Sequence, residues 1–210
     1  MVVPYLGRMN DRALCILVKN PIPGRTKTRL AASVGNARAL RMYGQLMDWT
    51  RDQALDLAGT DRYLLYSERV AEDRWPAEQF TKGTQRGPGL GERMQAALGD
   101  ALDRGHGRAC IIGSDCPGVT TELLTEAFDR LDDHDLVIGP ARDGGYYLLG
   151  MCQLHPSLFE DMAWSTERVL PETLARAAAL GLRVHRLPVL SDVDYLEDWL
   201  GYGWELPPEN

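Results

Sequence analysis

Residues Ala13 to Val18 read ALCILV, six apolar residues without a polar break, closed by Lys-Asn-Pro. A strand with one wet face alternates apolar and polar positions. An unbroken run of this length instead suits a strand covered on both faces, as in the parallel sheets of α/β proteins. Further runs follow at Tyr63 to Tyr66 (YLLY), Ala109 to Gly113 (ACIIG), Leu136 to Gly139 (LVIG), Tyr146 to Met151 (YYLLGM) and Val184 to Leu187. Between them the spacing changes to three and four residues, which gathers side chains on one helical face. Leu40, Tyr43, Met47, Thr50, Ala54 and Leu57 form one such face before Gly59, and Met94, Leu98 and Leu102 form another within about Leu90 to Leu102. Leu123, Leu124, Ala127 and Leu131 mark a third helix; Val169, Leu170, Thr173, Leu174, Ala177 and Leu180 mark a fourth from Thr166. A terminal helix begins near Tyr195, and residues 68–88 carry no readable period.

Strands alternating with helices predict a three-layer α/β/α sandwich around a mostly parallel central sheet. The 210 residues form one expected domain, 1–210, with no linker and with residues 1–12 as an irregular lead-in, where Met9 is an alternative start. The net charge of −7 and scattered basic residues argue against a nucleic-acid polymer as partner. No stretch approaches the ~20 apolar residues of a membrane span, and the start has no signal-peptide core. Cys15, Cys110, Cys116 and Cys152 make no C-x-x-C pair, so a reducing, cytoplasmic setting is expected.

In sheets of this kind ligands sit beyond the carboxyl ends of the strands. The loop after the first strand carries Lys19, Gly24, Arg25, Lys27 and Arg29. It reads as a phosphate cradle, with Gly24 admitting a close backbone approach, or else as a solvated basic loop. Neither a P-loop nor a G-x-G-x-x-G fingerprint is present, which disfavours a hydride-transferring dehydrogenase. The loop after ACII holds Asp115, either a ligand for a hard divalent cation or a turn residue before Pro117. The third loop, Arg142-Asp143-Gly144-Gly145, reads as a hairpin turn and as close ligand access, which are compatible. Asp192 and Asp194 offer a second metal ligand, while Asp194 with Glu197 also fits a capping box. Gly91 and Arg93 lie where a ligand loop meets a helix N-terminus. Ser165 or Thr166 suits an N-cap, and Trp164 either lines an acceptor pocket or fills the core. The four histidines show neither zinc spacing nor a hydrolase triad.

The ordered motifs KNPIPGRTKTRLA, GLGERM, GSDCP, PARDGGYYLLG, WST and DVDYLEDW span Ala13 to about Leu200. Together they resemble a glycosyltransferase-like family labelled as transferases associated with radical-SAM and selenium-domain proteins. That family belongs to the GT-A, nucleotide-diphospho-sugar transferase superfamily. More distantly the chain is similar to 2-phospholactate guanylyltransferase and the molybdenum-cofactor nucleotidyltransferases. The resemblance implies phosphate contacts for Lys19, Arg25, Lys27 and Arg29, a metal role for Asp115, and Asp194 or Asp192 as the second acid. Lys27, Asp115 and Asp143 become the expected catalytic residues, with Gly24, Gly91, Arg93, Gly144 and Gly145 beside the nucleotide. The expected cofactor is Mg²⁺ or Mn²⁺, and the expected partners are a nucleotide or nucleotide-sugar and a small acceptor. The family label favours glycosyl transfer; nucleotidyl transfer to a phosphorylated acceptor uses the same parts. A non-catalytic nucleotide-binding module is the reading of another class. The first loop departs from the L-x-G-G-x-S-x-R-M form of sugar nucleotidyltransferases, and Asp115 stands without the D-x-D of many GT-A enzymes.

Overall fold

The computed structural model describes residues 10–208, so the lead-in reading and the alternative start at Met9 fall largely outside the described residues. Seven strands are joined in one sheet: β1 Arg12–Val18, β2 Thr60–Tyr66, β3 Thr81–Thr84, β4 Arg108–Ile112, β5 Leu136–Pro140, β6 Tyr146–Met151 and β7 Val184–Arg186. Their order is β3-β2-β1-β4-β6-β5-β7. All pairings are parallel except those of β6, which runs antiparallel to β4 and β5. The third loop is therefore a hairpin turn.

Alternation along β1 explains the unbroken apolar run. Leu14, Ile16 and Val18 enter one core, while Ala13, Cys15 and Leu17 enter the other. The first core is closed by helices α1 Thr28–Val34, α2 Asn36–Asp56, α4 Thr121–Arg130 and α6 Leu196–Gly201. The second is closed by α3 Leu90–Asp103 and α5 Val169–Ala179. Helices thus cover both faces, as the three-layer expectation requires. Among the described residues no helix is long and apolar enough to cross a membrane.

Three local expectations are corrected. Arg29, expected in the loop, lies in α1, which starts at Thr28, and α2 begins at Asn36, ahead of Leu40. The fourth helix starts at Val169 rather than Thr166, because Ser165 adopts a left-handed backbone (φ 61°) and Thr166 closes a turn by donating to Ala163 O at 2.7 Å. Neither Ser165 nor Thr166 caps it; the N-cap position is Arg168. At α6 the capping acid is Asp198, whose carboxylate accepts from the Asp194 and Tyr195 N–H groups at 3.0 and 2.8 Å. Asp194 is therefore not consumed as a cap.

Candidate active site

The loop after β1 is held by its own polar side chains. Buried Asn20 accepts from the Glu68 and Arg69 N–H groups through Oδ1 and donates to Arg69 O through Nδ2. Buried Thr26 donates to Asn20 O at 2.8 Å and accepts from the Ile22 N–H at 3.1 Å. Tyr43 reaches up from α2, accepting from the Lys19 N–H at 2.9 Å with Ser114 Oγ 3.2 Å away, so one hydroxyl ties the ends of β1 and β4 together. The turn is completed by Lys27 in the left-handed region (φ 54°).

Lys27 points inward. Its side chain is only 4% exposed, and Nζ donates to Val193 O at 2.6 Å while lying 3.0 Å from Asp115 Oδ1 and 3.6 Å from Asp194 Oδ1. Arg29 continues the chain of charges, 2.8 Å from Asp194 Oδ2 and over the Tyr195 ring. Arg25 pairs with Glu68 at 3.0 Å. The acids arrive from two segments joined by a 2.8 Å bond from the Val193 N–H to Asp115 O. The 190–194 segment is itself laced to the third loop by Leu190 N–H to Pro140 O and Arg142 N–H to Leu190 O. Cations from the end of β1 and the acid from the end of β4 thus meet directly.

These groups line a cleft of about 430 Å³. Lys19, Arg25, Lys27, Arg29, Asp115, Asp143, Gly145, Asp192 and Asp194 all border it. Asp192 is half-buried, and its carboxyl is pushed up to about 7 by burial first, then by Asp115, with Lys27 opposing and Asp143 and Asp194 adding. Asp115 Oδ1 is buried and accepts no hydrogen bond of good geometry, although Lys27 Nζ is near. A buried, under-satisfied carboxylate oxygen beside a carboxyl that resists ionisation suits a divalent cation in donor chemistry. Among the described residues, however, no three acid, His or Cys groups converge as a ready-made ion site. Asp143 sits on the rim and accepts from the Gly145 N–H at 2.9 Å, so its turn role and its place in the cleft coexist.

Four expected contact residues lie outside the lining. Gly24 (φ +72°) is needed to turn the loop. Arg93 donates to Gly87 O at 3.0 Å, away from the cleft. Gly91 makes room for Trp164, whose Nε1 lies 2.3 Å from where a Cβ would stand. Gly144 (φ +88°) abuts the Glu167 backbone, 2.4 Å from a Cβ placed there. Conversely, Tyr43, Met94, Tyr146 and Thr166 line the cleft without having been singled out for it. Tyr43 is legible in the sequence only as a helix-face position, while Met94 and Tyr146 stand inside the GLGERM and PARDGGYYLLG motifs without a signal that separates lining from core. Trp164 lines the cleft and also packs in the second core.

A family model described as "Uncharacterized protein conserved in bacteria (DUF2064)" matches residues 50–166. A candidate nucleotide-diphospho-sugar transferase from Desulfovibrio desulfuricans G20 is 33% identical, with a TM-score of 0.82 over 89% of this chain and 84% of that one. The inositol-1-phosphate CTP transferase from T. maritima is 15% identical, with a TM-score of 0.57 over 89% and 91%. A 4-diphosphocytidyl-2C-methyl-D-erythritol synthase from Anaerococcus prevotii DSM 20548 is 11% identical, with a TM-score of 0.56 over 91% and 94%. The last two share the fold alone. No curated protein matches the chain.

Proposed function

The chain belongs to the DUF2064 family, and from its likeness to the Desulfovibrio protein and from the charged cleft we propose that it is a transferase acting on a nucleotide-diphospho-sugar, moving the glycosyl group to a small acceptor. One observation carries the reading: Lys27, Asp115, Asp194 and Arg29 form a continuous chain of opposite charges at the carboxyl edge of the sheet. A structural ion pair has no need of four members facing an open cleft. A diphosphate does, because both its oxygens and the cation it brings must be gripped.

In this mechanism Lys19, Arg25, Lys27 and Arg29 bind the diphosphate oxygens. Asp115, with Asp192 or Asp194, would hold Mg²⁺ or Mn²⁺, which supplies positive charge against the negative charge growing on the departing nucleoside diphosphate. Lys27 is already desolvated, so its charge acts at low local dielectric and needs little reorganisation. Asp143 on the rim is the base offered to an acceptor hydroxyl. Support for a sugar donor comes from the similarity to the Desulfovibrio protein and from a first loop that lacks the glycine-rich nucleotidyltransferase form.

The test presents nucleotide-sugars with Mg²⁺ or Mn²⁺ and measures free nucleoside diphosphate. Release is expected, and Asp115→Asn should lower it by roughly 100-fold or more while leaving nucleotide binding detectable. Binding without release in the wild-type protein, under any donor and metal, would mean a nucleotide-binding module. A parallel arm with nucleoside triphosphates and phosphorylated sugars reads pyrophosphate, and release there alone would replace glycosyl by nucleotidyl transfer.

A further inference from the structure

The cleft has two chemically different walls. Every Lys and Arg that lines it comes from residues 19–29. The other wall is built on the opposite face of the sheet by Met94 of α3, Tyr146 of β6 and the segment Trp164, Ser165 and Thr166, with no ionisable cation or acid among them. We propose that this wall is the acceptor subsite, and that it takes an uncharged, hydroxyl-bearing ring rather than a phosphorylated one. The inference rests on the transferase reading above and deepens it.

The wall is a built feature. Trp164 is set edge-on to Tyr146 (centroids 6.4 Å, 89°) and lies at 22° to Phe159 with centroids 6.4 Å apart. Its indole occupies the space that the missing side chain of Gly91 leaves open. The segment is pinned from the other side by Gly144, packed on the Glu167 backbone and accepting the Leu170 N–H at 2.9 Å. Ser165 holds φ 61°, a region that non-glycine residues rarely occupy and that recurs at ligand sites. Ser165 and Thr166 are exposed along the cleft. Aromatic faces with hydroxyls at their edge match a ring that has apolar C–H faces and polar substituents. A phosphorylated acceptor would need a second cluster of cations, because a phosphate dianion stripped of water without charge-assisted partners is strongly disfavoured. The wall offers none.

The full-length protein, saturated with a nucleoside diphosphate and Mg²⁺, is probed by saturation-transfer NMR. The probes are phenyl β-D-glucoside and myo-inositol, set against glucose 1-phosphate and inositol 1-phosphate. Transfer to at least one uncharged ring is expected. Trp164→Ala should weaken it at least fivefold, and Trp164→Phe should restore most of it. Nucleoside diphosphate binding, followed by calorimetry, should be unchanged in both variants, which also reports that they fold. Should Trp164→Ala fail to fold, Thr166→Val should give a loss of transfer at least twofold. Binding of the phosphorylated rings alone, or of neither class, overturns the inference. If no nucleoside diphosphate binds the wild-type protein, the transferase reading itself has failed, and calorimetry alone shows it.

Discussion

A lysine ammonium that is 4% exposed must have partners, and Lys27 has three oxygens around it. Breaking such a pair by removing one member is costly, about 3–5 kcal/mol when both charges are buried and less here, since Asp115 is 30% exposed. The acids outnumber this buried cation, and Asp192 bears the consequence. Its carboxyl sits at about 7 against an ordinary 3.8, chiefly through burial. Because the folded-state value is raised, the folded protein keeps a proton that the unfolded chain has already lost between those two values. Stability therefore falls as pH rises from about 4 to 7 and stays reduced above that. Asp192→Asn removes the effect. Its stability relative to wild type, from urea melts across this window, should grow from near zero at pH 4 to a plateau by pH 8. At about 1.4 kcal/mol per pKa unit, the plateau is at most roughly 4 kcal/mol. A difference that does not vary with pH would remove Asp192 from the charge cluster. The identities of these acids were legible in the sequence, since each stands in a loop after a strand. Their pairing was not: spacing shows that Lys27 and Asp115 share an edge, but not that they touch.

Elements buried on both sides wrote themselves into the sequence. β1 and β4 are central, so both their faces are apolar and the run is unbroken. β3 is an edge strand, TKGT, half-exposed and without an apolar run, so residues 68–88 gave no period. The helix expected from Thr166 starts only at Val169, and the left-handed Ser165 just before it helps to turn the 164–168 segment into a wall. What fixes that wall is a pair of glycines whose reason lies in a distant part of the chain, and no local pattern carries that information. Gly144 tests the point. Adding a Cβ there meets φ +88° and three Glu167 backbone atoms at 2.4 to 2.8 Å, and backbone cannot swing aside as a side chain tip can. Gly35, between α1 and α2, has φ +79° and open space around it. Gly35→Ala should cost about 1–3 kcal/mol through backbone strain alone, at φ 79° and ψ 157°, whereas Gly144→Ala should cost about 1–3 kcal/mol more than that by adding overpacking. Denaturant melts of the two variants measure the difference, and equal losses would mean that the 164–168 segment yields freely.

At the scale of the whole molecule, a chain of net charge −7 must attract an anion through one local basic loop. Three of its four cations already face acids, at 3.0 Å for Arg25, 3.0 Å for Lys27 and 2.8 Å for Arg29. A nucleoside diphosphate entering alone would compete with Glu68, Asp115 and Asp194 for those cations. With a divalent cation on the acids, the same groups become complementary and the competition is relieved. Binding should therefore be linked to the metal more than to either ligand's own charge. Any ligand of the folded state stabilises it by RT ln(1 + [L]/Kd), about 2.7 kcal/mol at 100 times Kd. For a chain of this size, with Tm shifting about 2–4 °C per kcal/mol, that is a rise of roughly 5–11 °C. A nucleoside diphosphate with Mg²⁺ should produce a rise of this order. EDTA should abolish most of it, because the acids then lack their cation and compete for the basic loop, and Asp115→Asn should diminish it with Mg²⁺ present, because the cation has one acid fewer to hold it, while nucleotide binding stays detectable. A shift that survives both EDTA and Asp115→Asn would show that the basic loop grips phosphate unaided, and the acidic side of the cleft would need another purpose.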